Sequence, residues 1–180
     1  MEGNGAIFIE KVDLEKFTFG KFVKQNEFRA PIDHKEADMM QSIITLKARL
    51  ILYHFNQILL LQQTKLNGGN YTLVGGTIEA QEFAKEALVR ETKEEAGIKI
   101  EADDLELAHV LHKRSKSEHR IVFYFITNRW EGNLQALETH KFKSVKWFPI
   151  DQLPKNLTGT VRHVLKHYQK GKKYSEFYKK

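Results

Sequence analysis

The run Ile121-Val-Phe-Tyr-Phe-Ile126 is hydrophobic at every position, whereas a strand with one wet face would alternate. Such a strand needs covering layers on both sides, which predicts a mid-sheet position in a layered domain. The elements around it supply those layers. Ser42 to Tyr53 and Gln57 to Gln63 read as strands turning at Asn56, Tyr71 to Val74 as a short strand, and Gly75-Gly76 as a tight turn. Gln81 to Ala96 has helical composition and stops at Gly97. Leu105 to Lys113, Arg120 to Trp130 and Lys143 to Pro149 read as further strands, and Thr158 to Lys170 as a closing amphipathic helix. Strands and helices interleave without regular βα alternation. The expected class is therefore α/β of the α+β type, a mixed β-sheet with helices on two faces.

Composition narrows the chemistry. With 180 residues, 41% hydrophobic, one core-bearing domain is accessible. Absence of cysteine removes disulfides, thiolate catalysis and cysteine-ligated metals. The longest apolar runs are strand-sized, far short of a membrane span. Residues 1–10 lack the pattern of a secretory leader, and the expected location is cytoplasmic. The net charge of +6 is local: residues 161–180 hold seven basic residues and one acid, leaving the first 160 balanced. Residues 171–180 are expected to be a solvated, partly frayed basic tail, with nucleic-acid binding the less favoured reading. Residues 1–40 form an N-terminal extension in which Ile7 to Ile9 and Phe17 to Val23 resemble a hairpin, suited to a homodimer contact.

Chemistry concentrates in Gly75 to Ile98. On a helix, Glu91, Glu94 and Glu95 stand at i, i+3 and i+4 and share one face. Two unit charges about 4 Å apart repel by roughly 4 kcal/mol at an effective dielectric near 20. The trio therefore calls for solvation, protonation or a cation. All-oxygen ligands select a hard ion, Mg2+ or Mn2+. Gly75-Gly76 lets backbone approach the carboxylates, Leu88, Thr92 and Ala96 form the adjacent core stripe, and Arg90 can pair with Glu94. The competing reading is an exposed helix laced with Glu86–Arg90 and Arg90–Glu94 surface pairs.

The spacing of the whole stretch favours the first reading. Gly76, five residues, Glu82, seven residues, then Arg90-Glu91-Thr-Lys-Glu94-Glu95-Ala-Gly97-Ile98 resembles the signature box of the Nudix hydrolases at all seven of its fixed identities. The resemblance extends over residues 41–170. It implies an α/β/α sandwich that hydrolyses a nucleoside diphosphate linked to another group, with a divalent metal. It also implies roles: Gly75 (carbonyl), Glu91, Glu94 and Glu95 as metal ligands, Arg90 as their organiser, and Glu82 as an outer support. Glu138 is the preferred general base, ahead of Glu131 and Glu118. Thr92 replaces the box's aliphatic residue, and Val74 stands where many members have proline. Gln62-Gln63 occupy the place of a phosphate-gripping arginine, leaving Arg49 or Lys65 to supply charge. His112 and Arg114, at a basic hairpin tip, could hold phosphate or a base, or simply be solvated. A nucleoside triphosphate is the first substrate expected, then a nucleotide sugar or dinucleotide. The alternative is a regulatory or RNA-associated binding domain, against which the intact carboxylates argue.

Overall fold

The computed structural model describes residues 43–178, so the hairpin and dimer expected of residues 1–40 lie outside the described residues. The strands are β1 (Ile43–His54), β2 (Gln57–Gln63), β3 (Tyr71–Thr72), β4 (Ile98–Lys99), β5 (Glu106–Arg114), β6 (Glu118–Thr127), β7 (Glu131–Gly132), β8 (Phe142–Pro149) and β9 (Tyr174–Tyr178). The α-helices are α1 (Ala84–Ala96) and α2 (Gly159–Tyr168). Seven strands join in the order β3-β2-β1-β6-β5-β9, with β8 on the free side of β2, while β4 and β7 form a separate ribbon. β1–β6 and β5–β9 run parallel and the other pairs antiparallel. The sheet is mixed, as the sequence predicts.

Alternation along β1 and β6 separates two cores. Ala48, Leu50, Leu52 and Phe125 pack with Ala87, Leu88 and Ala96 of α1. Ile51, Val122 and Tyr124 pack with Val161, Val164 and Leu165 of α2. Helices thus cover both faces, and the hydrophobic run in β6 serves both layers. The β1–β2 turn places Phe55 and Asn56 at φ 42° and 61°, the two left-handed positions of a tight hairpin. No helix among the described residues is long and apolar enough to cross a membrane.

Two expectations are corrected. Helix α1 begins at Ala84, not Gln81. Residues 79–83 form a turn in which the Glu79 N–H donates to Glu82 (2.9 Å) and the Phe83 N–H to Glu86 (2.7 Å). That capping bond draws Glu86 away from the surface pair with Arg90. The second correction concerns the basic tail. Residues 174–178 are not frayed; they form β9, paired with β5 from Val110 to Arg114. Ser175 is buried beneath this strand and receives its stabilisation from histidines. His109, fully buried, places Nε2 2.7 Å from Ser175 Oγ and Nδ1 2.8 Å from the Lys172 carbonyl, and His163 Nε2 stands 3.1 Å from the same hydroxyl. Lysines dominate the composition here, but alternation of Ser175 and Phe177 with solvent-facing residues decides the structure.

Burial and the neighbouring His167, His109 and Lys166 hold the His163 pKa below its ordinary value. The folded state therefore prefers neutral His163, and the unfolded chain binds more protons near pH 6. The stabilisation is complete above pH 6.5 and is lost as pH falls through and below that value. Hydrogen exchange corrected for intrinsic pH dependence should show β9 amides losing protection between pH 7 and 5.5. His163→Gln, which removes the titrating group, should flatten that response.

Candidate active site

The site begins with a strand edge. Beyond the β1–β2 turn, β1 bonds instead to residues 74–78: Leu50 N–H to the Val74 carbonyl, Ala48 N–H to Gly76, and Ile78 N–H to Leu46, each at 3.0 Å. Gly75 has φ 123°, and a Cβ there would lie 2.3 Å from the Ala48 carbonyl oxygen. Backbone runs too close to β1 for any side chain. At Gly76 a Cβ would lie 2.1 Å from Glu91 Oε1. The glycine pair makes room for the carboxylates of α1.

Those carboxylates are held, not splayed. Glu91 is 8% and Glu95 4% exposed, which excludes the exposed-helix reading for these two, while Glu94 stands exposed in its i,i+4 pair with Arg90. Glu95 Oε2 accepts the Gly75 N–H at 2.8 Å. Burial nevertheless pushes its pKa up to about 7, against the lowering effect of that bond and of Arg49. Arg90 is the hub: Nε and Nη2 embrace Glu82 at 3.1 and 2.7 Å, Nη1 reaches Glu91 and Glu94 at 3.1 Å each, and Nη2 touches the Thr77 carbonyl at 3.3 Å. Glu82 is held below the usual carboxylate range chiefly by this contact. It steadies Arg90, and through it the cluster. Thr92 packs fully buried and bonds back to Val89. The next turn ends at Gly97, φ 70°, where the loop after β7 docks: Gln135 N–H bonds to Ala96 and Leu137 N–H to Glu95. That docking brings Glu138 close enough for its charge to act on Glu95. Lys141 Nζ fixes Glu138 at 2.8 and 3.0 Å from its two oxygens.

A divalent cation fits this donor set. Among the described residues no three acidic or histidine side chains form a closed ligand group, and Arg90 pairs with two of the glutamates. What favours a cation here is chemical: a carboxylate at Glu95 that burial disfavours, with only hard oxygen donors around it. Glu91, Glu94 and Glu95 could hold the ion. The Gly75 carbonyl accepts a bond from Arg49 and keeps a second lone pair.

The other expected residues divide. Arg49 spans the Leu73 and Gly75 carbonyls and stands beside the cluster. Gln62 accepts bonds from Tyr71 and Ser144, and Lys65 lies exposed on a 3-10 turn. His112 and Arg114 are engaged elsewhere, His112 with His119 at 3.0 Å and Arg114 over the Tyr178 ring. Their strand parity sets them on the sheet face opposite Arg49. Glu131 belongs to the β4–β7 ribbon opposite Lys99. Sequence reasoning missed Lys47 and Arg120, which share the Arg49 face. The available signal was Thr45-x-Lys47-x-Arg49, polar at every second position in an otherwise apolar strand.

Comparisons with known proteins agree with this geometry. The NUDIX domain family model matches residues 45–168. An NAD-capped RNA hydrolase NudC of Photorhabdus laumondii is 32% identical over 55% of this chain and 37% of its own length. The chain thus spans little more than a third of that relative. An ADP-ribose pyrophosphatase of Methanocaldococcus jannaschii is 33% identical over 65% of this chain and 68% of its own. Among solved structures, a MutT NUDIX hydrolase from Burkholderia pseudomallei aligns with a TM-score of 0.63 and 25% identity over 68% of this chain and 96% of its own. With its fold, its glycine-carboxylate cradle and a family match across most of its length, this chain belongs to the Nudix hydrolases.

Proposed function

We propose that the chain is a divalent-cation-dependent pyrophosphohydrolase that cleaves a nucleoside diphosphate linked to a second group and releases a nucleoside monophosphate. The observation that carries this is the pair of buried carboxylates, Glu91 and Glu95, pressed against Gly75-Gly76 with Arg90 and Glu138 beside them. A linked diphosphate now ranks ahead of a triphosphate, because two relatives bear names of enzymes for such compounds and no arginine replaces Gln62-Gln63.

Each side chain has a task in that reaction. Glu138, held by Lys141, accepts the proton of the attacking water. The water oxygen then bonds to phosphorus, and the anhydride P–O bond breaks with its electron pair leaving on the departing phosphate. Arg90 holds Glu91 and the more exposed Glu94 side by side, and Arg49 stiffens the Gly75 turn. A bound Mg2+ or Mn2+ would supply Lewis-acid polarisation of the phosphate oxygens.

A panel of ADP-ribose, NAD and nucleoside triphosphates, with either metal, tests the reading. Monophosphate release from at least one compound is expected, and Glu94→Gln should reduce it roughly a hundredfold. Chelation should abolish it reversibly. A folded protein inactive across the panel would instead support the RNA-associated binding reading. That reading is tested by substituting Lys170, Lys172 and Lys173, which are exposed, because deleting residues 171–180 would remove β9.

A further inference from the structure

Beside Arg49, on the same sheet face, lies a charged cluster that the reaction just described does not use: Lys47, Arg120 and Lys113. In register across three strands, Thr45 of β1 stands beside Arg120 of β6, and Arg120 beside Lys113 of β5. Lys47 lies two residues from Thr45 on the same face, with Nζ 2.9 Å from Thr77 Oγ1 at the rim of the carboxylate cluster. Glu118 is the one acid within the row: it accepts from Arg120 Nε at 2.5 Å and from Thr45 Oγ1 at 3.0 Å. Lys47, Arg120 and Lys113 thus bring three cations beside Arg49, with Glu118 among them and Glu91 near Lys47. Lys47 is partly desolvated and carries its charge against the fields of Arg49 and Arg120. Cations at this spacing repel, Glu118 and Glu91 offset part of that repulsion, and an anion laid across them would offset more.

Resting on the reading above, we infer that the substrate carries a further phosphate beyond the diphosphate that is cleaved, and that Lys47, Arg120 and Lys113 receive it. Strand rise and spacing put Arg120 about 8 Å and Lys113 about 12 Å from Lys47 at the Cα level. The row thus leads away from the carboxylate cluster along the sheet, a direction that suits a phosphate on the attached nucleoside. The same chemistry is offered by a phosphate monoester on a small nucleotide and by the first phosphodiester of an RNA 5′ end.

The test compares hydrolysis of ADP-ribose, ADP-ribose 2′-phosphate and a short RNA beginning with an NAD cap, by the whole chain with Mg2+ or Mn2+. A kcat/KM at least about tenfold higher for one of the phosphorylated compounds than for ADP-ribose is expected, carried mainly by KM. Arg120→Gln and Lys113→Gln should each collapse that ratio toward one, and salt should lower it. Preference for the 2′-phosphate alone would identify the small-molecule source, and preference for the RNA alone the polynucleotide. Equal efficiency on all three overturns the inference and leaves the hydrolase reading standing, as does a preference that survives both substitutions. Hydrolysis of none of the three with either metal overturns the linked-diphosphate reading and the inference with it.

Discussion

Glu95→Gln is expected to lower hydrolysis by roughly a thousandfold or more and, in chelated protein above pH 7, to raise thermal stability. The two effects have one cause. The glutamine keeps the acceptor for the Gly75 N–H but removes a buried negative charge. A carboxyl whose pKa is pushed from 4.5 to about 7 by burial favours the protonated form. The folded state therefore binds more protons than the unfolded chain between those values, and stability falls as pH rises through the window. The accumulated penalty above pH 7 is on the order of 3 kcal/mol, and the glutamine variant escapes it. The gain should vanish at pH 4.5 and below. Adding Mg2+ should raise the Tm of the native protein and leave the variant nearly unmoved. Melting curves with chelator and with metal, at pH 5 and pH 8, check each part. Equal loss of activity and of Tm would make Glu95 a packing residue.

The second large effect separates two adjacent glycines. Gly75→Ala should destabilise the fold by about 3 kcal/mol or more and abolish activity with it. Its φ of 123° is one that L side chains rarely adopt, and the new Cβ would press on the Ala48 carbonyl and the Arg49 Cα, both rigid backbone of β1. Gly76→Ala meets a different obstacle, the carboxylate end of Glu91, which can swing aside. That variant should melt within a few degrees of the native protein while losing roughly a hundredfold in activity, because the displaced carboxylate leaves its functional position. Urea unfolding and turnover measured on both variants would show the contrast. If both lost stability alike, Glu91 would be locked in place by its surroundings and not by its glycine partner.

Local spacing made much of this site legible. The i, i+3 and i+4 glutamates, the Arg90–Glu94 pair and the core stripe of Leu88, Thr92 and Ala96 need only a helix. The embrace of Glu82 by Arg90 was legible only as an outer support, since it depends on how residues 79–83 turn before the helix begins. Lys47 and Arg120 were hidden for a stronger reason: their proximity depends on parallel register between strands about seventy residues apart. The same register inverted the hairpin tip. His112 and Arg114 attracted attention, yet one step along the strand puts Lys113 on the Lys47 face and those two on the other. In the last stretch, charge concealed β9, whose inward residues are a serine and a phenylalanine among lysines.

The position of β9 also bears on how the protein is made. It closes the free edge of β5, but roughly sixty residues separate the two strands in sequence. At 5–20 residues per second the ribosome leaves that edge unpaired for about 3 to 12 s, long enough for another nascent chain to pair with it. Slow codons between residues 115 and 173 would prolong this exposure, and fast decoding there would favour recovery of native protein. Synthesis tempo, and not equilibrium stability alone, should therefore set the soluble yield.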